Sequence, residues 1–148
     1  MNLKTYLKNG YLKPHEPYKK EIVRLIELSD RDLRTAEKLA GEADWKFAIA
    51  YNAALQLATI PIRVLGFRAT SKVGHHWITF SALPFLLGDE FSDFSKYFDD
   101  CRVKRNTAEY VEAGTLTEKE AIELIQEVKA LKKEILRWLK QKAPQFLP

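Results

Sequence analysis

Cysteine is all but missing from this chain. A single one, Cys101, stands among 148 residues, which excludes an internal disulfide and any cysteine-based zinc site. Its place on an apolar stripe, described below, predicts a buried, inert thiol and not a nucleophile. Histidine is scarce too, and His75 and His76 are adjacent, so on a helix they point about 100° apart and cannot form an i, i+4 metal pair. No carboxylate or cysteine spacing nearby completes a ligand set, so neither a metal nor a cofactor is expected. There is no Gly-rich phosphate loop, no internal repeat, no low-complexity tract and no pair of strands with hairpin signals. No apolar run approaches the roughly 18 to 20 residues of a membrane span. The opening Met1-Asn2-Leu3-Lys4-Thr5-Tyr6-Leu7-Lys8 lacks the apolar centre of a signal peptide. A soluble, cytoplasmic protein without membrane association is the expectation.

What the chain does have is charge and helical periodicity. It carries 24 basic and 20 acidic residues, a net +4. The excess is N-terminal, because residues 1–24 hold Lys4, Lys8, Lys13, Lys19, Lys20 and Arg24 against only Glu16 and Glu21. Interleaved with Tyr6, Tyr11 and Tyr18, this segment could contact RNA phosphates and bases, although a solvated amphipathic edge is the commoner use of such a sequence. Length fits one domain. The division expected is a basic segment at 1–18, a helical bundle at 19–142 and a tail at 143–148.

Pro14 and Pro17 delay the first long helix to Tyr18 or Lys19. Ile22, Ile26, Ser29, Leu33, Ala36 and Ala40 then form a narrow seam at alternating four and three spacing. Asp44 is the expected N-cap of a second helix over Trp45 to Leu65, which is apolar all round and therefore central. Pro61 should kink or break it, and Gly66 should cap its end. A polar loop from Arg68 to Gly74 leads into a short helix from His75 that ends before Pro84. A fourth helix covers Glu90 to Val111. Thr117 and Glu120 make a capping box for a last helix, whose seam is Ala121, Leu124, Val128, Leu131, Ile135 and Trp138. The fold class expected is all-α, an up-and-down bundle of about five helices.

The fourth helix carries the most informative residues. Phe91, Phe94, Phe98, Cys101, Arg105 and Ala108 share one stripe, so a guanidinium sits in line with apolar side chains and needs an acceptor. Arg102 with Asn106, Arg105 with Glu109, and Asn106 with Tyr110 are each one helical step apart. These residues form one polar patch, either a local ion-pair network or a binding site.

The order Arg102-x-Lys104-Arg105-Asn106-x-x-x-Tyr110, followed by Glu112 to Glu120 leading into an amphipathic helix, resembles the HEPN domain family. Asp30-Arg31-Asp32-Leu33 with Ala36, Ala48 to Leu55, Leu65-Gly66-Phe67-Arg68, and Gly74-His75-His76 are similar to the family's earlier helices and connections. The resemblance covers about residues 20 to 140 in order. It implies a helical bundle, commonly a two-fold homodimer whose polar motifs face a shared cleft. Many relatives are ribonuclease toxins encoded beside a minimal nucleotidyltransferase, with a signature of Arg, four to six residues, then His. Here no histidine follows: Tyr110, Val111 and Glu112 hold the positions counted from Arg105, and Thr107, Ala108 and Glu109 those counted from Arg102. A tyrosine titrates near 10 and exchanges protons poorly at neutral pH.

Three functions follow as expectations. The first is a nucleotide- or RNA-binding module, a toxin-antitoxin or defence component, acting on nucleic acid or a nucleotidyltransferase partner through Arg102, Arg105, Asn106 and Tyr110. The second is an active metal-independent ribonuclease in which Arg105 stabilises the transition state and Tyr110, His75 or His76 moves the proton. The third is a structural or assembly role without a nucleotide ligand.

Overall fold

A helix with apolar side chains in every direction must be surrounded by other elements. The computed structural model of the chain describes residues 2–148 and contains α1 (Leu3–Lys8), α2 (Lys19–Lys38), α3 (Ala43–Val64), α4 (His75–Leu87), α5 (Ser92–Tyr110) and α6 (Glu118–Lys142). The helix α3 packs against α2, α4, α5 and α6. Its Ala50, Tyr51, Ala53, Ala54, Leu57, Ala58 and Ile60 are completely buried. By length and composition α3 could cross a membrane, but more than half of its apolar stretch is buried inside the protein, as in a core helix.

The neighbours of α3 contribute their seams as periodicity requires. From α2 come Ile22, Ile26, Ser29, Leu33 and Ala36, and from α6 Ala121, Leu124, Val128, Leu131, Ile135 and Leu139. Trp138, expected in the seam, is only partly buried and packs at the edge of that core, with Leu139 taking the inward position. The capping box forms at the start of α6: Thr117 Oγ1 accepts from Glu120 N at 3.1 Å, and the Glu120 carboxylate accepts from Thr117 N at 3.1 Å. Polar ties lock α3 to both flanks. Gln56 Nε2 donates to the mostly buried Asp32 at 3.0 Å, and Lys46 Nζ to Glu118 at 2.8 Å.

Several local expectations are corrected. The chain is mostly helical but not all-α: Leu12–Pro14 (β1) pairs antiparallel with Phe67–Ala69 (β2), with Leu12 opposite Ala69 and Pro14 opposite Phe67. Arg68 therefore lies in a strand and not in a loop. The basic leading segment is structured: α1 buries Tyr6 in a second small core with Leu12, Ile62, Ile78 and Ala82, and Tyr6 Oη lies 2.6 Å from Ser81 Oγ. Asp44 is inside the first turn of α3, whose N-cap is Glu42. Neither proline stops its helix, since α3 continues past Pro61 and α4 past Pro84. Tertiary packing outweighs the lost hydrogen bond in both. A short 3-10 turn at Asp89–Phe91 precedes α5.

Cys101 is buried in the main core, and burial, more than its neighbours, pushes its thiol up to about 12. It is inert at neutral pH.

Because Leu57 is surrounded, Leu57→Ala should cost about 2 to 5 kcal/mol. Urea unfolding followed by circular dichroism reads this as a lower midpoint. A loss below about 1 kcal/mol would mean that α3 is not the central helix.

Candidate functional site

The polar patch of α5 is divided between two neighbouring cavities. Arg102 and Asn106 share one ridge of the helix, and Arg105 and Glu109 the next. The first ridge lines a cavity of about 190 Å³ closed on the other side by Val73, Gly74, His75, His76 and Trp77. The second lines a cavity of about 410 Å³ whose other wall is the start of α3.

Local structure sets the first cavity's histidines. Gly74, the N-cap of α4, has φ 101°, a conformation that glycine adopts without strain, and its carbonyl accepts from Ile78 N at 3.1 Å. The helix thus begins at His75, and His76 turns towards Tyr51 of α3. The Tyr51 hydroxyl and His76 Nδ1 are 2.9 Å apart. Arg105 Cζ stands over the same ring, 5.1 Å from the Tyr51 centroid, within cation–π range. Arg102 Nε donates to Asp99 Oδ1 at 2.7 Å, which uses one of five guanidinium N–H donors.

Charge states follow from this packing. Burial raises the Tyr51 phenol well above its usual range, against the pull of Arg105 and Arg102, so Tyr51 keeps its proton. Burial chiefly, then His75, Arg105 and Arg102, lowers His76 to about 4. His76 is therefore neutral at pH 7. Among the described residues, His76 is the one hydrogen-bond partner of the buried Tyr51 hydroxyl. A buried hydroxyl proton needs an acceptor, so Tyr51 donates and Nδ1 accepts. A neutral imidazole that accepts at Nδ1 carries its hydrogen on Nε2. The donor that His76 has left for anything entering the cavity is Nε2–H. At neutral pH this group binds; it is not a ready base.

The residues expected from sequence separate accordingly. Arg102 and Asn106 join His76, while Arg105 packs inward against Tyr51 with its side chain only 19% exposed. Arg105 Nε is 3.4 Å from Glu109 Oε1, close enough for an ion pair but not aligned as a hydrogen bond. Tyr110 does not join: it is 78% exposed at the last residue of α5 and lines neither cavity. Rotation of about 140° takes it off the ridge of Arg105, and on the ridge of Arg102 and Asn106 it stands one turn further along, at the helix end, past the residues that line the cavity. Lys104 faces away and pairs with Glu120 of α6 at 3.1 Å. Sequence reasoning missed Tyr51 and Asp99 as site residues. The signal for Tyr51 was present, since a phenol in an otherwise apolar, central helix must direct its hydroxyl at a partner. Among the described residues, no group of three or more His, Cys, Asp or Glu side chains is placed to hold a metal ion.

No protein-family model matches the chain, and comparison with curated proteins and with solved structures finds no match.

The His76 shift has a stability consequence. Its folded value of about 4 lies below the ordinary 6.5, so between these values the unfolded chain takes up a proton that the folded chain refuses. The contribution is intact above pH 6.5 and is lost progressively as pH falls towards 4. Urea midpoints should fall through this window in the wild type and fall less in His76→Asn. Titration of the His76 ring near 6.5 by NMR would contradict the burial and charge argument.

Proposed function

We propose that this protein is an HEPN-like module that binds nucleotide or RNA through a phosphate-sized pocket, and that it works by binding rather than by cleaving. The observation that carries this reading is the meeting of Arg102 and Asn106 of α5 with His76 of α4 around one cavity. A guanidinium, a carboxamide and an imidazole Nε2–H all donate, and a phosphate accepts on every oxygen. The HEPN assignment rests on the order of residues from Asp30 to Glu120, and the helical bundle is compatible with it. A homodimer, and a minimal nucleotidyltransferase as partner in a toxin-antitoxin or defence setting, belong to the same proposal. Sedimentation equilibrium at micromolar concentration would read the dimer as twice the 17.1 kDa chain mass, and a monomer would remove the shared cleft.

The ribonuclease reading has one specific observation in its favour, because His76 reaches the cavity of Arg102 although no histidine stands in the motif. Against it stand the neutral, Nδ1-occupied imidazole and the exposed Tyr110. Neither offers a lone pair poised to take a proton at pH 7.

Fluorescence anisotropy with a labelled single-stranded RNA tests the proposal. Arg102→Ala and Arg105→Ala should each weaken binding by about 1.5 to 3 kcal/mol, the contribution of a hydrogen bond to a charged group. Lys104→Ala, on the α6 side, should lose much less. Equal small losses in all three would mean diffuse charge attraction. In EDTA the wild type should leave a mixed RNA pool intact, and strong cleavage that disappears in Arg105→Ala would make this an enzyme.

A further inference from the structure

We infer that the larger cavity beside the phosphate pocket is a nucleobase subsite, with Trp45 as its stacking surface. This rests on the proposed phosphate pocket and specifies which ligand spans the two. The cavity of about 410 Å³ lies between the start of α3 and the end of α5. Trp45 is 67% exposed at its edge, so the indole is not a core residue. Ala48 and Ile49 give the cavity an apolar wall, and Asn52, Arg105 and Glu109 add hydrogen-bonding groups. An aromatic plane, an apolar wall and a few edge groups are what a base needs.

Two of the lining side chains are also incompletely satisfied. Asp44 Oδ2 accepts from Gly114 N at 2.6 Å, but Oδ1 is buried without a hydrogen-bond partner, and Arg105 Nε, 3.4 Å from Glu109 Oε1, makes no aligned hydrogen bond. Both residues line the cavity, so each brings to its wall a charged group with hydrogen-bonding capacity to spare. Native proteins leave few buried polar atoms unmatched, and two in one wall mark a place where a ligand completes the network. Guanine fits best among the common bases. Its ring N–H and exocyclic amine are adjacent donors suited to the carboxylates Asp44 and Glu109, and its carbonyl accepts from Arg105.

The two cavities are the two sides of one feature. Residues 102 and 105, like 106 and 109, are three apart on α5, hence neighbouring ridges with Cβ atoms roughly 5 to 6 Å apart. Arg105 bridges them, lining the larger cavity while resting on the Tyr51 ring whose hydroxyl orients His76 in the smaller. A nucleotide laid across α5 places its phosphate on Arg102, Asn106 and His76 and its base on Trp45.

Calorimetric titration of the full chain with GMP, guanosine and inorganic phosphate tests this, using wild type, Trp45→Ala and Trp45→Phe. GMP should bind about ten-fold or more tighter than phosphate, the contribution expected of one stacked base. Trp45→Ala should erase that advantage and leave phosphate binding unchanged, and Trp45→Phe should restore most of it. Equal affinities for GMP and phosphate in the wild type, or a gap untouched by Trp45→Ala, would overturn the base subsite and leave the phosphate pocket standing. Guanosine separates the reverse case. Binding of guanosine without any binding of phosphate would keep the base subsite and remove the phosphate pocket, whereas failure of both guanosine and GMP to bind would remove the subsite.

Discussion

The burial of most of α3 is the constraint from which the rest follows. Ala53, Leu57 and Ile60 have no water-facing side, because α2, α4, α5 and α6 all pack against α3. In such a helix each buried polar atom costs free energy unless a neighbour pairs with it. The Tyr51 hydroxyl is one such atom, and His76 is the neighbour that pairs with it. One hydrogen bond thereby fixes the start of α4 against α3, sets the tautomer of His76 and presents a ring face for Arg105. The site is a consequence of how the core was closed.

The same bond is the physical ground for proposing binding over cleavage. Catalysis by an imidazole needs a lone pair or a labile proton near neutral pH. Here Nδ1 is taken by a phenol that burial keeps protonated, and the charge of the imidazolium is disfavoured by burial and by two arginines. What is left is a row of donors, suited to an anion that is held and not cut. Arg102 keeps its position through Asp99, and Arg105 through Tyr51, so neither guanidinium must be ordered at the moment of binding.

Much of the scaffold was legible in the chain because its helices are governed by local periodicity. The seams of α2 and α6, the Thr117–Glu120 box and the inward direction of Arg105 are all readable from spacing. The pairing of Leu12–Pro14 with Phe67–Ala69 is not, because three-residue strands far apart in sequence carry no alternation to detect. Pro84 misled for the opposite reason, since packing holds α4 past a local breaker. The site was half legible: Arg102, Arg105 and Asn106 follow from one helix face, but their partners Tyr51 and His76 come from other helices and meet them only in the fold. Tyr110 was suggested by motif spacing and by its step from Asn106, but it falls at the last residue of α5, where nothing packs over it and it stands in solvent.

The most direct test of the central claim is a long-range 1H–15N correlation spectrum of the three histidines at neutral pH, recorded before and after addition of inorganic phosphate and of a short RNA. The account requires His76 to be neutral with its hydrogen on Nε2, and that nitrogen to shift as either ligand fills the pocket. A protonated His76, an Nδ1–H tautomer, or an Nε2 signal that neither ligand moves would contradict it.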